Sequence, residues 1–300
     1  MRIVVAGAGS LGSLIGGLLA REHEVTLVGR GEHVRAIAES GLRITDVLER
    51  HVTPAATTDY DCVPAPDLAI VTVKAYDTAA AGRDLARIDP GAVCSLQNGM
   101  GNEAVLADVL DDAPVLAGTA TYGALRGDPG TVACTGRGEI ELGPVDGGAS
   151  DLATRVAEAF TDAGLACTAR DDMPDRLWTK LAVNAGINAV TALARLENGA
   201  VLEEPVRPVA FEAARETARV ARSSGVELAD DEVTEALADV ARTTRTNTSS
   251  MARDVLEGRR TEVDAINGFV VDRAPSARDV PVNDALHRLL VGWERGRGLR

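Results

Sequence analysis

Apolar residues follow two different rhythms along this chain, and the change comes past its middle. In the first part, short β-branched runs alternate with stretches of helical spacing. Residues 1–6 read as a buried strand, Gly7 to Gly12 as a glycine turn, and the stretch to about residue 22 as a helix. Residues 24–28 predict a second strand, 33–39 a helix, and 42–53 either a hairpin or separate short strands. Residues 67–73 form a strongly β-branched strand, 75–87 a helix, and 92–96 a strand that runs into Gln97-Asn98-Gly99-Met100-Gly101. Later strands are expected at 115–121 and 131–142, then a helix at 150–163 and a strand at 165–169. Such alternation implies βαβ units and a parallel sheet.

From Met173 onward the spacing is helical almost throughout. Candidate helices are 175–194, 205–224, 230–245, 248–257, 261–274 and 282–295. Pro205, Pro208 and Pro281 sit where helices begin, Gly199 and Gly225 where they end. The boundary falls near 170–174, giving an α/β domain over 1–170 and an all-helical domain over 171–300. A chain of 300 residues is long for one core and comfortable for two.

Composition narrows the function classes. A net charge of −14 argues against nucleic acid as partner. No apolar run reaches the roughly 18–20 residues of a membrane span, and the first apolar stretch reads as a strand rather than a signal peptide. A soluble cytoplasmic protein is expected. Cys62, Cys94, Cys134 and Cys167 form no Cys-x-x-Cys pair and have no histidine at ligand spacing, so neither a disulfide framework nor a metal site is expected. Of the 31 Lys plus Arg, only Lys74 and Lys180 are lysine. GC-rich codons or a salty cytoplasm account for the general scarcity. Against that background, the two positions suggest a need for a compact ammonium that can release a proton.

Gly7-Ala8-Gly9-Ser10-Leu11-Gly12 follows a strand and opens a helix, the context a dinucleotide fingerprint requires. The alternative is a glycine turn without ligand. The second strand ends in Val28-Gly29-Arg30 with no carboxylate before Glu32. A guanidinium there suits the 2′-phosphate of NADP, unless Arg30 is only a solvated turn residue. Lys74 and Asn98 follow strands, where ligands of open α/β sheets lie. Lys180, Asn184 and Asn188 fall at i, i+4 and i+8, one polar stripe among Leu177, Leu181, Val183 and Ile187. They line a cavity or form an exposed face. Asn247-Thr248-Ser249-Ser250 and Thr261-Glu262 make a last polar group, in which Asn247 or Thr248 could cap one helix and Thr261 begin another.

Taken in order, these segments resemble the ketopantoate reductase family over nearly the whole length. The motifs are the glycine fingerprint, Asn98-Gly99-Met100-Gly101, Trp178-x-Lys180-x-x-x-Asn184-x-x-x-Asn188, Asn247-x-Ser249-Ser250-Met251-x-x-Asp254, and Thr261-Glu262-x-Asp264-x-Ile266-Asn267-Gly268. The resemblance implies a Rossmann-type domain followed by a helical one, with the active site in the cleft between them. It implies reduction of 2-dehydropantoate to pantoate with NADPH, on the route to pantothenate and coenzyme A. Lys180 matches the family's proton donor, and Glu262 an acid where cofactor and substrate meet. Asn184, Asn188, Asn198 and Ser250 match substrate-binding positions, with Asn247 and Ser249 in the segment around the last. Arg30, Lys74, Asn98 and Ala124 match cofactor contacts. Gln97 and Tyr122 depart from members that carry histidine there, which bears on the substrate rather than the reaction. The partner implied is a small 2-oxo acid; the sequence does not give the oligomeric state, and a homodimer through the helical domain is one option. A paralogous reductase of another branched 2-oxo acid and a non-catalytic NADP-binding sensor are the competing readings.

Overall fold

The computed structural model describes residues 1–110 and 113–300. Its contacts divide the chain into two compact units. Residues 1–97 and 102–173 form the first; 98–101 and 174–300 form the second.

The first unit is built on a mixed sheet. Strands β1 (Arg2–Ala6), β2 (Glu24–Val28), β5 (Ala55–Thr57), β6 (Leu68–Val71), β7 (Val93–Ser95) and β8 (Val115–Ala120) run parallel, and β11 (Ile140–Pro144) and β12 (Cys167–Ala169) complete it. The order is β12-β11-β8-β7-β6-β1-β2-β5, with β11 antiparallel to β8. Val4 of β1 pairs with Thr26 on one side and Ala69 on the other, placing β1 inside the sheet between β6 and β2. Alternate residues of β1 then feed opposite faces. Ile3 and Val5 pack with Leu14, Ile15 and Leu27, while Val4 and Ala6 pack with Val71, Leu85 and Val93. Both faces are covered, which is why these strands read as unbroken apolar runs. Helices α1 (Ser10–Leu19), α2 (Gly31–Ser40), α3 (Thr78–Ala86), α4 (Asn102–Val109) and α5 (Asp151–Asp162) accompany the strands.

A second sheet has the order β4-β3-β10-β9, made of β3 (Leu42–Asp46), β4 (Arg50–Val52), β9 (Gly123–Arg126) and β10 (Thr131–Gly136). It settles two points of the sequence reading. Residues 42–53 are a hairpin, pairing Leu42 with Val52 and Ile44 with Arg50. The single strand expected over 131–142 is instead two: β10 pairs with β3 and β9, while β11 crosses into the large sheet beside β8. The break spans residues 137–139, where a Cβ on Gly138 would press on the Thr121–Tyr122 backbone. Helix α4 and strands β5 and β9 were not anticipated.

The second unit is helical: α6 (Met173–Ala194), α7 (Arg207–Ser223), α8 (Asp230–Thr243), α9 (Ser250–Leu256), α10 (Phe269–Arg273) and α11 (Pro281–Gly296). Its core draws Trp178, Leu181, Ala185 and Ile187 from α6, and Ala210, Ala214, Ala218 and Ala221 from α7. Pro208 and Pro281 lie in the first turns of α7 and α11. Gly225, at φ +87°, follows the end of α7. Gly199 ends no helix; it belongs to a 3₁₀ turn, Asn198–Leu202. The helix expected over 261–274 is interrupted: a π turn, Asp264–Gly268, precedes α10. Among the described residues, no helix is long and apolar enough to cross a membrane.

Candidate active site

The glycine turn is built as a cradle. Gly7 and Ala8 both donate to Val28 O at 2.9 Å, pinning the turn to the end of β2. Gly7 sits at φ +115°, where a Cβ would lie 2.7 Å from Val73 N. A Cβ on Gly12 would strike Gly7 O and Thr72 Oγ1, the same hydroxyl that donates to Gly7 O at 2.8 Å. Gly9 is different. A Cβ there would meet only Gly7 O, at 4.0 Å, so the space above the start of α1 is open. Gly9 is also the N-cap, and no side chain caps the first amides of α1. Open space facing uncapped amides at a helix start fits a pyrophosphate. Ser10 Oγ accepts from Arg126 N at 3.0 Å, tying the turn to β9, the strand that carries Ala124. Ala8 is buried, and Leu11 and Ala124 are half-buried.

Arg30 stands just past β2 with its side chain 85% exposed, and Nη2 lies 2.7 Å from Asp77 Oδ2. Asp77 closes the 3₁₀ turn Ala75–Asp77 that Lys74 begins. Arg30 and the segment after Lys74 are thus brought together at the ends of β2 and β6, beside the glycine turn. Gln97 does not project freely. It is buried, and its Nε2 donates to Val73 O at 2.9 Å and to Thr78 Oγ1 at 2.8 Å. Tyr122 is likewise committed, its hydroxyl accepting from Ala166 N at 3.0 Å. Both departures from histidine are therefore structural bonds of this unit.

In the helical unit, α6 carries Lys180 and Asn184 half-buried and Asn188 buried, on one face of an unbroken helix. Ser249 is the N-cap of α9, one or two residues beyond the capping positions read from the sequence. Its Oγ accepts from Ala252 N at 3.1 Å and lies 2.7 Å from Thr191 Oγ1, one turn along α6 from Asn188. The neighbouring Ser250 is exposed, as is the side chain of Asn247. Asn198 donates its backbone N–H to Asn247 O at 2.9 Å, and its Nδ2 to Thr244 Oγ1 at 3.0 Å. Its Oδ1 is buried with no hydrogen-bond partner. That is an unspent acceptor next to the Asn247–Ser250 segment.

Glu262 is 6% exposed and lies just before the π turn. Segment Asn98–Gly101 docks on that turn: Met100 N donates to Ala265 O at 3.0 Å, and a Cβ on Gly99 would sit 2.6 Å from Ala265 Cβ. This brings Asn98 toward the Glu262 segment. Two networks, one buried and one partly exposed, invisible from the sequence, hold the surroundings. Asn267 Nδ2 donates to Ala185 O on α6 at 3.2 Å and to Asn283 Oδ1 at 2.9 Å. Asn283 donates in turn to Glu216, whose carboxylate also accepts from the first amides of α11. On the other side of Glu262, Thr261 bonds to Glu294, and Asp264 gathers His287 and Arg300. Burial opposes ionisation of Asp264, but His287 and Arg300 outweigh it and hold its carboxyl at about 2.

A glycine cradle opening the first helix of a parallel sheet, joined to a helical unit with a lysine–asparagine stripe, defines a nicotinamide-dependent oxidoreductase. The family profile described as "Ketopantoate reductase PanE/ApbA" matches residues 3–147, and its C-terminal counterpart matches 172–294. The chain belongs to the ketopantoate reductase family. It is 45% identical to the 2-dehydropantoate 2-reductase of Halobacterium salinarum over 91% of this chain and 92% of that one. A PanE/ApbA family ketopantoate reductase from Ralstonia eutropha superposes with a TM-score of 0.89 at 33% identity, covering 99% of this chain and 100% of the other. D-mandelate dehydrogenase, solved with NADH and anilino(oxo)acetate, superposes with a TM-score of 0.91 at 25% identity, covering 99% and 100%.

Proposed function

We propose that this chain reduces 2-dehydropantoate to pantoate with NADPH, in the cytoplasm, on the route to pantothenate and coenzyme A. The observation that carries the reading is the α6 stripe. Lys180, Asn184 and Asn188 occupy one face of a helix whose other faces are packed with apolar side chains. In this reading residues 1–170 hold the cofactor and 171–300 supply substrate contacts and the acid, with Asn98–Gly101 grouped with the latter. The four free thiols suit a reducing compartment.

Bound NADPH would supply the hydride that the 2-keto carbon accepts. Gly7–Gly12 and the start of α1 would hold the pyrophosphate, and Arg30 and Lys74 the adenosine end. The exposed Arg30 guanidinium suits a 2′-phosphate, which would take over the position of Asp77. Charge develops on the ketone oxygen during reduction, so a proton must be delivered there. The Lys180 ammonium polarises the carbonyl and then donates that proton from Nζ; a guanidinium donates one very poorly. Glu262, buried and matched to the acid where cofactor and substrate meet, is the group that would hold the ammonium in place. Asn184, Asn188 and Ser250 orient the substrate, and Asn198 Oδ1 offers the acceptor a substrate hydroxyl would satisfy. A non-catalytic sensor would have no use for this acid and its partner.

A second reading, another 2-oxo acid, is favoured by the similarity to D-mandelate dehydrogenase, whose complex holds an aromatic oxo acid. Initial rates with NADPH and with NADH on 2-dehydropantoate, 2-oxoisovalerate and phenylglyoxylate separate the two. The proposal requires the highest kcat/KM for 2-dehydropantoate with NADPH. A higher value for either other acid replaces it with the second reading.

A further inference from the structure

Glu262 sits in backbone that lacks a regular helical ladder. Ala265 N donates to Glu262 O at 3.1 Å, but Gly268 N reaches back to Val263 O at 2.8 Å in the π turn. Thr261, directly before Glu262, is 1% exposed and needs partners for its N–H and hydroxyl. Both donate to Glu294 Oε1 of α11, at 2.7 and 2.6 Å. Glu294 is itself fully buried, and its other oxygen accepts from Arg300 Nε. Two residues beyond Glu262, Asp264 completes the loop. Its Oδ2 lies 2.8 Å from Arg300 Nη2, and its Oδ1 lies 2.9 Å from His287 Nε2. Arg260 Nη2 stands 3.4 Å from the same carboxylate. One guanidinium thus bridges Glu294, which holds Thr261 just before Glu262, and Asp264, which stands two residues after it.

We propose that Arg300, acting through Glu294 and Asp264, is a positioning residue that sets the carboxylate of Glu262 for the reaction. Glu294 is fully buried while Asp264 is partly exposed, and ion pairs of either kind are poor sources of stability, because desolvation or solvent screening offsets the attraction. What a bridging guanidinium adds is fixed geometry, with planar donors directed at two carboxylates. The inference rests on the reading of Glu262 as a site residue.

Arg300→Gln, Arg300→Lys, Glu262→Ala and the double variant Arg300→Gln/Glu262→Ala test it, each as the full chain. Steady-state kcat and KM for the 2-oxo acid are read with saturating NADPH, alongside thermal melting. Misplacing a group at a site costs on the order of 10- to 100-fold, the loss expected in kcat/KM for Arg300→Gln. Arg300→Lys should recover part of it. In the Glu262→Ala background the same substitution should change kcat/KM less than about twofold, because its effect runs through Glu262. The drop in melting temperature should be the same in both backgrounds. Equal losses of kcat/KM in both backgrounds, or none in either, overturn the proposal. Near-normal activity of Glu262→Ala overturns the site reading and the proposal with it. A large loss for Glu262→Ala with an unaffected Arg300→Gln overturns the positioning role alone. Should Arg300→Gln fail to fold, His287→Gln removes the other partner of Asp264 and is judged by the same comparison.

Discussion

Alanine at Gly9 and at Gly12 should damage this protein in opposite ways, although the two glycines are three residues apart in one turn. Gly9 has φ −83° and ψ −157°, extended backbone that any residue adopts, and its added Cβ would stand 4.0 Å from the nearest atom. Alanine is a poorer N-cap than glycine, by up to about 1 kcal/mol. Fewer unfolded conformations offset about 0.4–1 kcal/mol of that. The apo melting temperature of Gly9→Ala should therefore stay within about 2 °C of wild type. The methyl group occupies the cradle, however, and should weaken NADPH at least about tenfold, or roughly 1.4 kcal/mol. At NADPH near 100 times the wild-type Kd, ligand stabilisation should fall from about 2.7 to about 1.4 kcal/mol. Gly12→Ala instead drives a methyl group into Gly7 O, Thr72 Oγ1 and, at 3.1 Å, Val5 Cγ1. Overpacking of this kind costs about 1–3 kcal/mol, or roughly 2–12 °C for a unit of this size. Differential scanning fluorimetry with and without NADPH, plus fluorescence titration, reads both effects. The reasoning fails if Gly9→Ala melts as low as Gly12→Ala, or binds NADPH as tightly as wild type.

Further outcomes follow from other parts of the molecule. Arg30→Ala should weaken NADPH more than NADH, and Asp77→Asn, which frees the guanidinium, should tighten NADPH modestly; equal effects on both cofactors in a fluorescence titration would refute the phosphate role. His33 is buried, accepts from Gly130 N at Nδ1 and faces Ser13 Oγ with Nε2; burial first, and Arg126 second, push its pKa below the usual 6.5. Below pH 6.5 the unfolded chain gains a proton that the folded chain refuses, so the urea midpoint should fall from pH 7.5 to 5, and His33→Gln should flatten that slope. With a net charge of −14, the melting temperature and activity should rise between low and molar salt as carboxylate repulsion is screened; a flat or falling curve leaves codon usage to explain the arginine bias.

How far the sequence could be read depended on how local each signal was. The strand at Glu24–Val28 and the helix over Asp151–Asp162 stood out because periodicity and flanking turns agreed. The stripe at Lys180, Asn184 and Asn188 needed only helical spacing. Helix α4 was missed because its inward face is mostly polar, pairing Leu106 with Asn102 and Glu103. The change of sheet between β10 and β11 was also missed, since the three-residue break leaves the in–out alternation in phase, with Val132, Cys134, Ile140 and Leu142 all buried. At the site, the resemblance carried Glu262, but nothing local announces what holds it. Glu216, Glu294 and Asn283 look like solvated helix residues, yet each is fully buried, bonded to partners far along the chain. The π turn after Glu262 was read as plain helix, because one extra residue per turn barely changes the apolar pattern.

The most direct measurement is the turnover of 2-dehydropantoate with NADPH by the wild-type chain and by Lys180→Ala, with cofactor affinity followed by fluorescence. Wild type should consume NADPH and form pantoate one for one. Lys180→Ala should lose on the order of 10²- to 10⁴-fold in kcat while binding NADPH about as well as before. No pantoate from the wild-type chain, or near-normal turnover without Lys180, would contradict the account.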